Sequence, residues 1–176
     1  MNEQPLFLGV DPGILQHGVA LVLSNGEVLT NTWGDFQLLR GSTWSVDYYY
    51  RLIREQHRER LVVVIEWPVY QGRPRGGKAF AAVLKQAARV LHDFELGGAP
   101  RIYTPPAEVV RRNVMGHAHP SDSEITAWCA KQGLATGRGT QLNSNHKRDA
   151  LLAALWGRWL LGQPKEKHND WIEPRK

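Results

Sequence analysis

The chain has 176 residues, 42% of them hydrophobic and 22% charged, which suits one domain with its own core and is too short for two. A formal net charge of +5 points to an anionic partner, of which nucleic acid is the commonest. A single cysteine, Cys129, excludes an internal disulfide and a cysteine-rich zinc site and reads as a small buried thiol.

In chain order, Leu6 to Val10 is an apolar run ending at Asp11-Pro12-Gly13. Gly18 to Leu23 is a second run, closed by Ser24-Asn25-Gly26, and Asn-Gly is a strong hairpin signal. Glu27 to Trp33 completes a three-strand meander. A helix is expected from Ser42 or Thr43 to about Arg60, its second half charged. Leu61 to Ile65 is unbroken apolar and mostly β-branched, as in a strand buried on both faces. It leads into Glu66. Residues 71–77 (QGRPRGG) form a basic loop. A helix follows, with Phe80, Val83, Leu84, Ala87, Val90, Leu91 and Phe94 on one stripe, stopped by Gly97-Gly98. Arg101 to Thr104 is a short fifth strand, and Pro105-Pro106 starts a helical turn. Ser121 to Gln132 reads as a helix with Ser121 and Glu124 as a capping box. A polar Gly-rich loop runs from Gly133 to Asn145. His146 to Leu161 is the last helix, capped by Ser144 or Asn145. The fold expected is mixed α/β: a five-stranded sheet, an antiparallel meander of strands one to three plus two further strands, flanked by helices. Residues 1–162 form the domain and 163–176 a polar tail. There is neither a secretory leader pattern nor an apolar run of spanning length, so no membrane association and a reducing cytoplasm are expected.

Four residues stand where chemistry gathers in open α/β sheets, at strand ends and the start of a helix. Asp11 ends the first strand and Glu66 the fourth. His146 and Asp149 are three apart in the first turn of the last helix, so they share a face. Carboxylates pressed together repel unless a divalent cation neutralises them. Oxygen ligands with one imidazole suit Mg²⁺ or Mn²⁺, and two such ions about 3.5–4 Å apart can hydrolyse a phosphodiester. Each residue also has a structural alternative. Asp11 can be a turn former, Glu66 half of an ion pair, His146 a plain helix-start residue, and Asp149 a complement to the helix dipole.

Taken together, Leu8-Gly9-Val10-Asp11-Pro12-Gly13 with Gly18, Val63-Val64-Ile65-Glu66, and His146-Lys147-Arg148-Asp149-Ala150 resemble the three acidic motifs of RuvC-type Holliday junction resolvases. The third is in the variant that carries His at its first position. Residues 104–114 (TPPAEVVRRNV) resemble that family's Pro-initiated helix before a glycine turn. The resemblance runs from about residue 6 to 162. It implies an RNase H-like fold, a homodimer, and Asp11, Glu66, His146 and Asp149 as ligands of two Mg²⁺ or Mn²⁺ ions. It implies symmetric nicking of four-way (Holliday) junctions in a bacterial or phage-infected cell. Two departures concern the substrate. Gly116 leads to His117-Ala118-His119-Pro120-Ser121-Asp122, with no lysine, and the aromatics after the second acid are Trp67 and Tyr70, at different distances from it.

Candidate DNA contacts are Arg73, Arg75 and Lys78 beside Glu66, Arg111 and Arg112, and Lys147 and Arg148 between the last two acidic positions. Trp67 and Tyr70 are candidates for stacking on a base; either can equally serve an interface or the core. Trp156 and Trp159 read as core. His117 and His119 are weaker candidates for DNA contact or proton transfer. A nucleotide-binding fold of the actin and sugar-kinase type would need a second domain and a second phosphate loop. A nuclease acting on RNA–DNA hybrids, flaps or single strands, and a non-catalytic junction-binding protein, remain as alternatives.

Overall fold

Side-chain alternation along the strands sets the layering of the molecule, which a computed structural model describes at residues 4–14, 17–23, 26–33, 60–69, 77–99, 101–134, 142 and 144–164. The strands are β1 (Leu6–Asp11), β2 (His17–Val22), β3 (Val28–Trp33), β4 (Leu61–Ile65) and β5 (Arg101–Tyr103). They form one sheet in the order β3-β2-β1-β4-β5. β1–β2 and β2–β3 pair antiparallel, whereas β1–β4 and β4–β5 pair parallel. This is the mixed five-stranded sheet expected. The helix expected over 42–60, apart from Arg60, and the tail from 165 lie outside the described residues.

The helices described are α1 (Gly77–Leu96), α2 (Ala107–Met115), α3 (Asp122–Lys131) and α4 (Asn145–Leu161). Even-numbered β4 residues (Val62, Val64) and odd-numbered Phe7 of β1 pack with α4, against Leu151, Ala154 and Trp156. The opposite set, Leu6, Leu8, Val10, Leu61, Val63 and Ile65, packs with Val90 and Phe94 of α1. β4 is therefore covered on both faces, and all five of its residues are buried. Each such side chain taken from water contributes about 1.5–3 kcal/mol. Trp156 is fully buried, edge-on to Tyr103 with ring centroids 6.1 Å apart, and Trp159 packs at the margin of the same core. Cys129 is buried there too, and burial pushes its thiol pKa up.

Local capping fixes the helix starts. Ser121 caps α3 with both arms of the capping box: its backbone N–H donates to Glu124 Oε2 at 2.7 Å and its Oγ accepts from Glu124 N at 3.3 Å. Ser144, one of the two caps expected, accepts from Lys147 N at 3.3 Å and starts α4. α2 follows Pro106 and stops at Gly116, whose φ of 94° is a left-handed conformation that favours glycine.

Candidate metal centre

Parallel pairing of β1 with β4 aligns Val10 with Ile65, so Asp11 and Glu66 leave the sheet at the same end. The alignment extends one step further, because Glu66 N donates to Val10 O at 2.8 Å and Trp67 N to Pro105 O at 2.9 Å. Asp11 lies two residues past Gly9 and four past Phe7, on the α4 face. Glu66 lies two past Val64, on that same face.

The helix reaches this face because glycine lets it. A Cβ on Gly9 would lie 1.9 Å from Ala150 O, and one on Gly18 would lie 1.8 Å from His146 O. Backbone therefore packs directly on backbone at the first two turns of α4. His146 and Asp149 are carried over the ends of β1 and β4. His146 Nδ1 stands 2.5 Å from Asp11 Oδ2, the imidazole N–H donating to the carboxylate. That bond raises the His146 pKa against the opposing effect of burial.

The rest of the cluster is dominated by negative charge in a low-dielectric place. Glu66 Oε2 is buried without a hydrogen-bond partner. Its pKa is raised well above the usual carboxylate range, first by burial and then by Asp11 and Asp149, with Arg111 opposing. Burial likewise raises the Asp149 pKa, against the pull of Arg111. Arg111 Nη2 donates to Asp149 Oδ1 at 3.0 Å. Burial disfavours the charged guanidinium, yet Asp149, Glu66 and Asp11 together outweigh it and raise its pKa.

No three His, Cys, Asp or Glu side chains among the described residues stand ready as a metal cage. Two of the carboxylates are instead compensated from within, Asp11 by His146 and Asp149 by Arg111. The donor set nevertheless fits a hard divalent cation. It offers three carboxylates and an imidazole, and the orphaned Glu66 oxygen lacks the positive partner that its setting calls for. A histidine held through Nδ1 by a carboxylate keeps Nε2 for a ligand.

Glu66, Trp67, Phe80, Pro106, Arg111 and His119 line a cleft of about 310 Å³ beside this cluster. Among the other candidate contacts, Lys78 is exposed in the first turn of α1 and Arg112 is exposed on α2. Lys147 is half-buried. Arg148 is buried, its guanidinium donating to Leu142 O at 3.2 Å and to Asn145 Oδ1 rather than facing solvent. Tyr70, Arg73 and Arg75 lie outside the described residues. His117 is 4.0 Å from Glu124, and His119 is exposed at the cleft rim. The internal pairing of Arg111 with Asp149 was not legible as such in the sequence, nor was the burial of His17 beside Asp11 and His146. For Arg111 a signal was present: Ala107, Val110, Arg111 and Val114 occupy one i, i+3, i+4, i+7 stripe, so Arg111 interrupts an inward face while Arg112 does not.

Compared with known proteins, the chain matches no protein-family model and no curated protein. Among solved structures it is similar to Thermus thermophilus RuvC, at 18% identity and a TM-score of 0.55, covering 95% of this chain and 98% of the other. It is also similar to T. thermophilus RuvC in complex with a Holliday junction substrate, at 20% identity and a TM-score of 0.58, covering 96% and 99%. At such identities the likeness concerns the fold, and the chain has the RNase H-like fold of RuvC over nearly its whole length. No described helix is long and apolar enough to cross a membrane.

Proposed function

We propose that the protein is a metal-dependent endonuclease that nicks four-way DNA junctions symmetrically as a homodimer. The observation that carries this reading is the convergence of Asp11, Glu66, His146 and Asp149 from β1, β4 and α4 on one end of the sheet. The fold shared with a structure of RuvC bound to a Holliday junction substrate supports the choice of branched DNA. In this reading residues 1–162 are the nuclease domain, 163–176 are a tail, and the protein works in a bacterial or phage-infected cytoplasm.

Asp11, Glu66, His146 and Asp149 would hold two Mg²⁺ or Mn²⁺ ions. Bound there, the ions would activate water and stabilise the leaving oxygen of the phosphodiester. The chain's own part is to fix the donors. Asp11 orients His146 through Nδ1, and the α4–sheet contact at Gly9 and Gly18 sets how far the helix-borne ligands stand from the strand-borne ones. Exposed Lys78 and Arg112, together with Lys147, Arg73 and Arg75, would grip backbone phosphates. Trp67 at the cleft, and Tyr70, would stack on an unpaired base. Two sites related by a dimer axis match the two-fold symmetry of a four-way junction.

The test is cleavage of a labelled four-way junction beside linear duplex and RNA–DNA hybrid of the same sequence, in Mg²⁺, Mn²⁺ or EDTA. Paired metal-dependent nicks in the junction alone are expected. Cutting of hybrid or linear DNA instead would remove the junction-resolving role, and tight junction binding without cutting would make the protein a binding module.

A further inference from the structure

We infer that Arg111 is the built-in cation of the acidic cluster, paired with Asp149 while no metal is bound and displaced from it when a divalent ion enters. The inference rests on the metal-dependent reading above. It begins from the placement of the residue. Arg111 sits on the inward stripe of α2, and α2 packs on α4, which carries Asp149. Its side chain is 24% exposed and that of Asp149 is 14%. A long cation would not be held in that position without a reason, because burial works against its charge. The reason is the company of Asp149, whose Oδ1 accepts from Nη2 at 3.0 Å, and of Glu66 on the wall of the same cleft.

The bond itself is suited to exchange. Arginine grips a carboxylate best through two parallel N–H donors. Here Nη2 donates to Asp149 Oδ1, while Nε is buried without a hydrogen-bond partner. The guanidinium thus neutralises charge with incomplete geometry. Asp149 cannot offer the same oxygen to a metal and to Arg111 at full strength. A divalent ion on this cluster supplies more charge than a guanidinium and repels it. The cleft lined by Arg111, Glu66 and His119 gives the freed side chain room to swing. Metal and ion pair therefore compete for Asp149, and by linkage whatever weakens the pair strengthens metal binding.

The test uses Mn²⁺ alone, without DNA, so that it does not depend on cleavage. Free Mn²⁺ is followed by electron paramagnetic resonance during titration of the full chain, of Arg111→Met and of Arg111→Lys. Arg111→Met should bind Mn²⁺ about tenfold more tightly than the unsubstituted chain, and Arg111→Lys much less so. In EDTA, Arg111→Met should melt below the unsubstituted chain and regain the deficit at saturating Mn²⁺. Because Arg111→Met can fail to fold without metal, the unsubstituted chain is also titrated with Mg²⁺ while its Arg111 side-chain N–H resonance is observed. That resonance should shift with the same midpoint as binding, and Asp149→Asn should remove the response. If the chain binds metal while the resonance stays fixed, or Arg111→Met binds no more tightly, Arg111 is not the displaced cation and the metal-dependent reading stands. If no metal binds to any of these proteins, both fall.

Discussion

Gly18 of β2 lies directly beneath the backbone of His146, so close that a Cβ at residue 18 would come within 1.8 Å of the His146 carbonyl oxygen. Neither atom belongs to a flexible side chain that could move aside. Gly18→Ala must therefore lift the start of α4 from the sheet. The expected cost is about 3 kcal/mol in urea denaturation, with loss of cleavage in whatever fraction still folds. Gly77→Ala is the matched control: nothing lies within 4 Å of its would-be Cβ, so it should change stability by no more than about 0.5 kcal/mol. Equal effects at the two positions would show that the close approach does not position the helix.

If the four converging side chains hold metal, each should be needed for cutting and dispensable for binding. Asp11→Asn, Glu66→Gln and Asp149→Asn should each lower junction cleavage by about 100-fold or more, with junction affinity largely kept in gel-shift assays. His146→Asp should retain part of the activity and His146→Ala lose most of it. Normal cleavage by any one variant removes that residue from the set.

The same carboxylates should cost stability when no metal is present. Glu66 has a buried oxygen without a partner and faces Asp11 and Asp149. Glu66→Gln should therefore raise the melting temperature in EDTA and lose that advantage in saturating Mn²⁺. A lower melting temperature in EDTA would mean that the carboxylate contributes to the metal-free fold.

At the start of α3 the capping box makes stability depend on pH. The Ser121 hydroxyl, and then its backbone N–H, hold the Glu124 carboxyl below its ordinary value of 4.5. A carboxyl whose folded pKa is depressed stabilises the fold above the unfolded pKa and loses that contribution as pH falls through the folded one. Acid titration by circular dichroism should thus show a stability loss below about pH 4.5 that is smaller in Glu124→Gln. Identical acid profiles would mean that the capping box does not form in solution.

The basic residues should divide by exposure. Arg148 is buried on Leu142 O, so Arg148→Ala should cost about 2 kcal/mol of stability by leaving that carbonyl unpaired. Lys78→Ala and Arg112→Ala, at exposed positions, should leave the melting temperature unchanged and weaken junction binding. Each should reduce the salt dependence of binding by about one counterion. An unchanged salt slope would place the DNA elsewhere.

Much of this was written in short-range pattern. The unbroken apolar run at Leu61 to Ile65, the Ser121–Glu124 cap and the stripe around Val90 and Phe94 each depend on neighbours within a few residues, so the sequence by itself determined the strands, the three longer described helices and the Ser121 cap, while leaving Ser144 and Asn145 both open as the cap of α4. It also placed Asp11 and Glu66 at strand ends, because each closes an apolar run; that they share a face follows from the parallel register of β1 and β4. Which side chains meet was decided only by tertiary structure. Arg111 and Arg112 are adjacent and chemically identical, yet one pairs with Asp149 and the other is exposed. Arg148 turns inward between two ligand candidates for the same reason. The direction of a long cation depends on the burial and charge that distant segments bring to it, and α2 reaches Asp149 across 38 residues of chain. The glycine contacts under α4 are of this kind too: a glycine in a strand reads as a weak spot until the helix that needs its missing side chain lies on top of it.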